Sequence, residues 1–238
     1  MSTLLISDLH LSPQYPAISE AFFNFLKNEA INSQSLFILG DLFEAWIGDD
    51  DQELLSRQVV SALKKVTDQG TSVYLIHGNR DFLISKKFSY ETGCKLLPDH
   101  YIYEAGNKKI LLLHGDTLCT QDKQYQRFRR VVRSRFFCRS LMQLPLKTRQ
   151  NIAEKWRLKS AKFNANKPEN IMDVSLPEVE RVMSKYSVDV MIHGHTHRPG
   201  RHENLHGERL VLGDWGENGW FIRIKDEGTL DLISFKIQ

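Results

Sequence analysis

The chain has 238 residues, 41% hydrophobic and 26% charged, with a formal net charge of +3, a soluble globular profile with room for one domain and a large insertion. Cys94, Cys119 and Cys138 are odd in number, far apart and form no CxxC, which argues against a disulfide framework or thiolate metal site and for a reducing compartment. No run of about 18 apolar residues is present to span a bilayer, and Asp8 interrupts the opening apolar run too early for a signal peptide.

In chain order, short aliphatic runs at 3–7, 36–39, 73–76, 110–113 and 188–192 are mostly unalternated, the pattern of strands buried on both faces. Helical periodicity fills the early gaps: residues 17–30 put Phe22, Phe25 and Leu26 on one stripe, and 53–67 do so with Leu54, Leu55, Val59, Ala62, Leu63 and Val66. Alternating β and α elements predict an α/β fold with a largely parallel sheet. Runs at 210–212, 220–224 and 230–235, separated by glycine-bearing turns, predict antiparallel strands or hairpins that close the sheet system.

Each of the five aliphatic runs leads into a polar station: Asp8-Leu9-His10, Gly40-Asp41, Gly78-Asn79-Arg80-Asp81, His114-Gly115-Asp116 and Gly194-His195-Thr196-His197. Ligands in open α/β sheets collect at the carboxyl ends of strands. Asp8 and His10, as alternate residues, project to one side if the backbone stays extended. Asp41 has two oxygens with which to bridge two ions; standing alone, it would be read as the N-cap of a helix beginning near Leu42. Asn79 offers a neutral amide oxygen, and Arg80 a planar fork of donors for phosphate. A single histidine such as His114 at the end of an apolar run is more often a hydrogen-bonded core residue. His195 and His197 can reach different ions, whereas His77 and His193 read as structural. Asp, His and Asn without thiolate suit two hard or borderline divalent ions. Two such ions ~3.5–4 Å apart can clamp the attacking and leaving oxygens of a phosphoryl displacement. Each station alone is weak evidence; five at five strand ends make a site.

Residues 120–167 break the rhythm, with fourteen Lys or Arg against only Asp122 and Glu154, a net of +12 that leaves −9 for the rest of the chain. Helices are predicted over 124–139 and 147–164, either side of Leu144-Pro145. Tyr125, Phe128, Val131, Val132, Phe136 and Phe137 in the first, then Ile152, Trp156 and Phe163 in the second, read as an inward apolar stripe. The chain thus divides into a core of 1–119 and 168–238 and an inserted basic helical cap of 120–167. A basic helix pair is commonly a solvated face, but this one leaves directly after His114-Gly115-Asp116 and returns before His195. Basic amphipathic helices also suit anionic membrane surfaces or nucleic acid.

The set DxH, GD, GNxD, HGD and GHTH over residues 8–197 resembles the calcineurin-like metallophosphoesterases. That resemblance implies an α-β-β-α sandwich with two divalent metal ions, one on Asp8, His10, Asp41 and His197, the other on Asp41, Asn79, His114 and His195. Many members carry GNHD, whose histidine is thought to help the leaving group. An arginine does not give up a proton at working pH. Arg80 therefore favours a leaving group that needs none, a pyrophosphate rather than an alkoxide.

GNRD, the basic cap after HGD, and Glu44-Ala45-Trp46-Ile47-Gly48-Asp49 resemble the lipid A branch of that family. The implied reaction is hydrolysis of UDP-2,3-diacylglucosamine at the α-phosphorus to UMP and 2,3-diacylglucosamine 1-phosphate. Manganese is the implied metal, and the implied location is peripheral, on the cytoplasmic face of the inner membrane. Asp41, Asn79, Arg80 and His195 would serve the reacting phosphate, and Asn79, Arg80, Asp122, Ser160, Asn164, Lys167 and His195 would touch substrate. Spacings of three and four also place Arg157, Ser160, Asn164 and Lys167 on one helical face. That face could meet a sugar phosphate, with Ile152, Trp156 and Phe163 beside it to line an acyl slot; a solvated charged stripe is the alternative. A dimetal nuclease and a scaffold that has lost its metals are the competing functions. Neither a nucleic-acid partner nor an obligate protein partner is expected.

Overall fold

In the computed structural model, which describes the backbone of residues 2–164 and 173–238 and the side chains of 2–160 and 173–238, the aliphatic runs build two stacked sheets. The first half of the chain alternates β1 (Ser2–Ile6), α1 (Pro16–Asn28), β2 (Ser35–Ile38), α2 (Leu54–Asp68), β3 (Ser72–Leu75), α3 (Lys86–Thr92) and β4 (Lys95–Leu96). Strands β1 to β4 are parallel. The chain then changes sheet with the hairpin β5 (His100–Ala105) and β6 (Lys108–Leu113). Helices α4 (Lys123–Val132), α5 (Arg135–Met142) and α6 (Leu146–Asn164) follow, then α7 (Leu176–Tyr186) and β7 (Val190–His193). The last strands are β8 (Gly200–Asn204), β9 (Gly207–Val211), β10 (Asn218–Lys225) and β11 (Leu230–Lys236).

The two sheets of the α-β-β-α sandwich implied by the motif resemblance are present, ordered β11-β10-β1-β2-β3-β4 and β5-β6-β7-β9-β8, and the largely parallel sheet read from the element pattern is corrected in that both are mixed. Strand β9 runs parallel to β7, while β10 returns to the first sheet antiparallel to β1. Leu5, Phe37, Ile110, Leu112, Ile192, Leu210 and Ile222 fill the space between the sheets. Leu4, Ile6, Leu36 and Ile38, on the opposite face of the first sheet, pack on Phe22, Phe25, Val59 and Leu63 of α1 and α2. Leu111, Leu113 and Met191 do the same under Val179, Val182 and Met183 of α7. The layers are therefore helix, sheet, sheet, helix. Both faces of each central strand are dry, which is why the runs do not alternate. At roughly 1.5–3 kcal/mol for each buried aliphatic or aromatic side chain, burial of these faces dominates the fold.

The predicted helix over 124–139 is two helices. Ser134 accepts a hydrogen bond from Phe137 N and caps a new start, so α4 ends and α5 begins there. Val131 and Phe136 consequently face solvent, which corrects the inward stripe; Phe136 is 84% exposed. Among the described residues no helix is long and apolar enough to cross a membrane.

Candidate metal centre and cleft

Strands β1, β2, β6 and β7 stop at Ile6, Ile38, Leu113 and His193, and the stations lie in the turns beyond them. Asp8, His10, Asp41, His195 and His197 all adopt positive φ, between 50° and 67°. The extended geometry expected for Asp8 and His10 is thus corrected: each turns through a left-handed conformation, which costs roughly 1–2 kcal/mol for a residue with a Cβ. Neighbouring loops hold them there. Asp8 N donates to Gly40 O at 3.1 Å and His10 N to Asp41 O at 3.0 Å, while Trp215 N donates to Asp8 O at 3.0 Å. Glycine is required at two of the closest approaches, since a Cβ on Gly194 would lie 2.0 Å from Asp8 Oδ2 and one on Gly78 would lie 2.1 Å from Asp41 Oδ1.

No helix starts at Leu42, which removes the capping role for Asp41. Asp41 Oδ1 instead accepts from Arg80 N at 2.8 Å, and Asp81 ties the same loops by accepting from Leu42 N at 2.8 Å and Gly78 N at 2.7 Å. His77 and His193 sit to the side, with His77 Nε2 at 2.8 Å from Ile84 O and His193 Nε2 at 3.2 Å from Arg209.

The predicted ligands gather in two adjoining groups. In the first, His10 Nε2 and His197 Nε2 stand 3.3 Å apart, His197 Nε2 lies 3.3 Å from Asp8 Oδ1, and His10 Nε2 lies 3.9 Å from Asp41 Oδ2. In the second, His114 Nε2 is 3.1 Å from Asn79 Oδ1 and 3.8 Å from Asp41 Oδ1, with the His195 ring 5.0 Å from that of His114. Asp41 therefore directs one oxygen to each group.

The donor set fits divalent cations on two further observations. Asp8 Oδ1 is buried and, apart from the His197 ring nitrogen 3.3 Å away, has no partner among the described residues. His114 Nδ1 donates to Leu39 O at 2.8 Å, so Nε2 of the neutral ring turns a lone pair toward the oxygens of Asn79 and Asp41. Acceptors converge there, and a cation satisfies them together.

In the metal-free chain protons take part of that role. Burial pushes the His10 imidazole down, but Glu44 at its Nδ1, with Asp41 and Asp8, raises it to about 9. Burial likewise opposes, and Asp41, Asp8 and Asp116 overcome, in raising His114. Burial and the neighbouring His114 push His195 the other way, down to about 4. A divalent ion binding at pH 7 must therefore expel the His10 proton. Apparent metal affinity is expected to climb up to about pH 9, by roughly tenfold per unit for one proton. Calorimetric titration in buffers of different ionisation enthalpy reads the released proton; a binding heat independent of buffer would refute it.

Above the cluster opens a cleft of about 1240 Å³. His10, Asp41, Asn79, Arg80, His195 and His197 line it, facing apolar walls from Trp46, Phe82, Leu83, Phe128, Ile152 and Trp156. Phe128 and Phe137 pack on Trp156 with ring centroids 5.1 and 6.1 Å away. Of the predicted substrate contacts, Asp122, Arg157 and Ser160 line the same cleft. Asp122 also caps α4 by accepting from Tyr125 N at 3.0 Å. Asn164 is the last residue of α6, its side chain outside the described residues with that of Phe163, and Lys167 lies outside them altogether. A second cavity, of about 560 Å³ between α1 and strands β10 and β11, contains none of the cluster.

Part of the cap's charge is spent on anchoring it, which composition alone does not reveal. Buried Asp116, last of the His-Gly-Asp station, accepts from Tyr125 Oη at 2.7 Å and Arg129 Nε at 2.6 Å. Burial opposes its ionisation, but Arg133, His114 and Arg129 hold its carboxyl well below the usual carboxylate range. Arg133 also donates to Gly78 O at 2.6 Å, beside Asn79. On the other side Arg149 donates to Ile47 O at 2.5 Å and Asp50 Oδ1 at 2.8 Å. Tyr125, which reads from the sequence only as an apolar helix residue, also stacks on His195, with ring centroids 6.0 Å apart.

Comparison with known proteins agrees with this geometry. The family model for calcineurin-like phosphoesterases matches residues 1–199. Proteins named UDP-2,3-diacylglucosamine hydrolase are 50% identical in Photorhabdus laumondii and 47% identical in Serratia proteamaculans and Yersinia pseudotuberculosis, each over 99% of both chains. Among solved structures, an archaeal phosphodiesterase is 14% identical with a TM-score of 0.51, covering 99% of this chain and 100% of its own. A Vps29 single mutant from Entamoeba histolytica is 15% identical with a TM-score of 0.50 over 99% and 100% of the two chains. These two share the fold alone. With the motif set, both sheets and the family model in agreement, the chain belongs to the calcineurin-like phosphoesterases.

Proposed function

We propose that the protein is a metal-dependent pyrophosphate hydrolase of lipid A biosynthesis, cleaving UDP-2,3-diacylglucosamine at its α-phosphorus to UMP and 2,3-diacylglucosamine 1-phosphate. The observation that carries this reading is the cleft itself: the acid and imidazole cluster and a set of apolar side chains line one cavity of about 1240 Å³, larger than the roughly 300–1,000 Å³ of ordinary small-molecule sites. The names of relatives at 47–50% identity over the full length support it.

Two divalent ions, manganese in this reading, would be held by Asp8, His10, Asp41 and His197 and by Asp41, Asn79, His114 and His195, and when bound supply Lewis acidity that activates water and neutralises phosphate oxygens. The protein's own groups do the rest. Arg80, half-buried at the cleft floor, offers its fork to the phosphate under attack. His195, neutral at pH 7, is a nitrogen donor rather than an acid. The departing group is a phosphate monoester, which leaves without a proton, and so no acid is required at position 80. The apolar walls take the acyl chains, while Arg157 and Ser160 on α6 reach the glucosamine phosphate.

Exposed Val131 and Phe136, among exposed Arg127, Arg130 and Arg135, suit an anionic bilayer surface, in keeping with a peripheral position on the cytoplasmic face of the inner membrane. A product assay with Mn²⁺ in ¹⁸O-labelled water tests the reaction. UMP is expected from the acylated donor, carrying the label, with unacylated UDP-sugar and a simple phosphodiester turned over far more slowly. Label in the lipid phosphate, or faster cleavage of an oligonucleotide, would overturn the reading.

A further inference from the structure

Glu44, Ala45, Trp46 and Ile47 line the cleft, and the first of them stands between two parts of the machinery. Glu44 Oε2 lies 3.2 Å from His10 Nδ1, a buried nitrogen with no other partner among the described residues. The other oxygen, Oε1, lies 3.5 Å from Arg80 Nη1. The carboxylate is half-buried, with its side chain 21% exposed. Backbone geometry holds it in place, because Glu44 N donates to Leu11 O at 3.1 Å and Trp46 N to Arg80 O at 3.0 Å.

The geometry points to Glu44 as a positioning residue that serves both halves of the site at once, fixing His10 with Nε2 toward the first ligand group and holding the Arg80 guanidinium over the cleft floor. A carboxylate on the far nitrogen of a ligating imidazole selects the tautomer, sets the ring plane and raises ligand basicity. A neutral imidazole whose Nδ1 proton faces Glu44 has its lone pair on Nε2, the atom 3.3 Å from His197 Nε2. The same carboxylate limits the arcs open to Arg80, a long side chain that would otherwise lose rotamer freedom on meeting phosphate. Only a two-oxygen anion at this position does both.

The Arg80 half rests on the proposed phosphoryl chemistry, whereas the His10 half does not, and two variants separate them. Glu44→Ala is expected to weaken Mn²⁺ binding by calorimetry about 10- to 100-fold, the range for loss of an outer partner of a metal ligand. Glu44→Gln keeps an oxygen for the Nδ1 proton and removes the charge beside Arg80. Its Mn²⁺ affinity should stay within about threefold of the unmodified protein, while kcat/KM for the acylated donor falls about tenfold. In an Arg80→Ala background, Glu44→Gln should add no further loss, since the two changes remove one interaction. Thermal melting confirms folding of each variant. Unchanged Mn²⁺ binding in Glu44→Ala, or a Glu44→Gln loss that persists in full without Arg80, would overturn the shared role. A wrong substrate assignment shows itself differently, as an unmodified protein that binds Mn²⁺ and releases no UMP.

Discussion

Asp41→Asn is expected to abolish turnover and leave the fold standing. The substitution preserves an oxygen to accept from Arg80 N, and asparagine tolerates the left-handed backbone that Asp41 adopts at φ 52°. What it removes is charge and one of the two oxygens, those 3.9 Å from His10 Nε2 and 3.8 Å from His114 Nε2. A single neutral oxygen cannot serve both groups of ligands. The loss of kcat should be at least roughly 10³-fold, equivalent to about 4 kcal/mol of barrier. Elemental analysis of protein loaded with Mn²⁺ should fall from two ions to at most one, with the melting temperature of the metal-free variant little changed. Asp41→Ala is the less informative change, because it also leaves Arg80 N without its acceptor and puts alanine at a positive φ. A variant that turns over at the unmodified rate would remove the two-ion reading.

Residue identity made the site readable in advance, and backbone conformation did not. Asp8, Asp41, His114, His195 and His197 stand out because apolar runs give way abruptly to acids and imidazoles, beside glycine at Asp41, His114 and His195, a pattern that core packing does not require. Their positive φ values leave no such trace, since Asp and His are ordinary residues in many loops. Two sheets could be told from one through the motif resemblance but not through strand composition, because a strand dry on both faces reads the same in either; the pairing of Leu5 with Ile222 and of Met191 with Arg209 distinguishes them. Helices over 123–164 were legible from their periodicity and from Pro145, but not the break at Ser134, where one hydroxyl starts a new helix. Nor does composition say which cations are anchors. Arg129, Arg133 and Arg149 find partners 13 to 102 residues away in sequence, and their exposed neighbours Arg127 and Arg130 differ from them only in the face of the helix they occupy. Glu44 is the same case: its importance lies in facing His10 and Arg80 together.

Arg80→Ala should lower kcat by roughly 10²–10³-fold, in the range of losing one charge-stabilising donor from a reacting centre. Its signature differs from that of Asp41→Asn. The bond from Arg80 N to Asp41 belongs to the backbone and survives the substitution, so both ions should remain bound while the chemical step slows. Only side-chain contacts are lost, the pairing with Glu44 and the fork at the cleft floor. Arg80→Lys should recover part of the rate and no more, since an ammonium returns the charge without the planar pair of donors. The comparison also tests the leaving-group reasoning. If Arg80 only positions and neutralises phosphate, the ratio of alanine to lysine rates should hold across the pH range in which lysine stays charged. A ratio that changes with pH inside that range would instead mean that position 80 takes part in proton transfer, and the preference for a pyrophosphate bond would lose its physical basis.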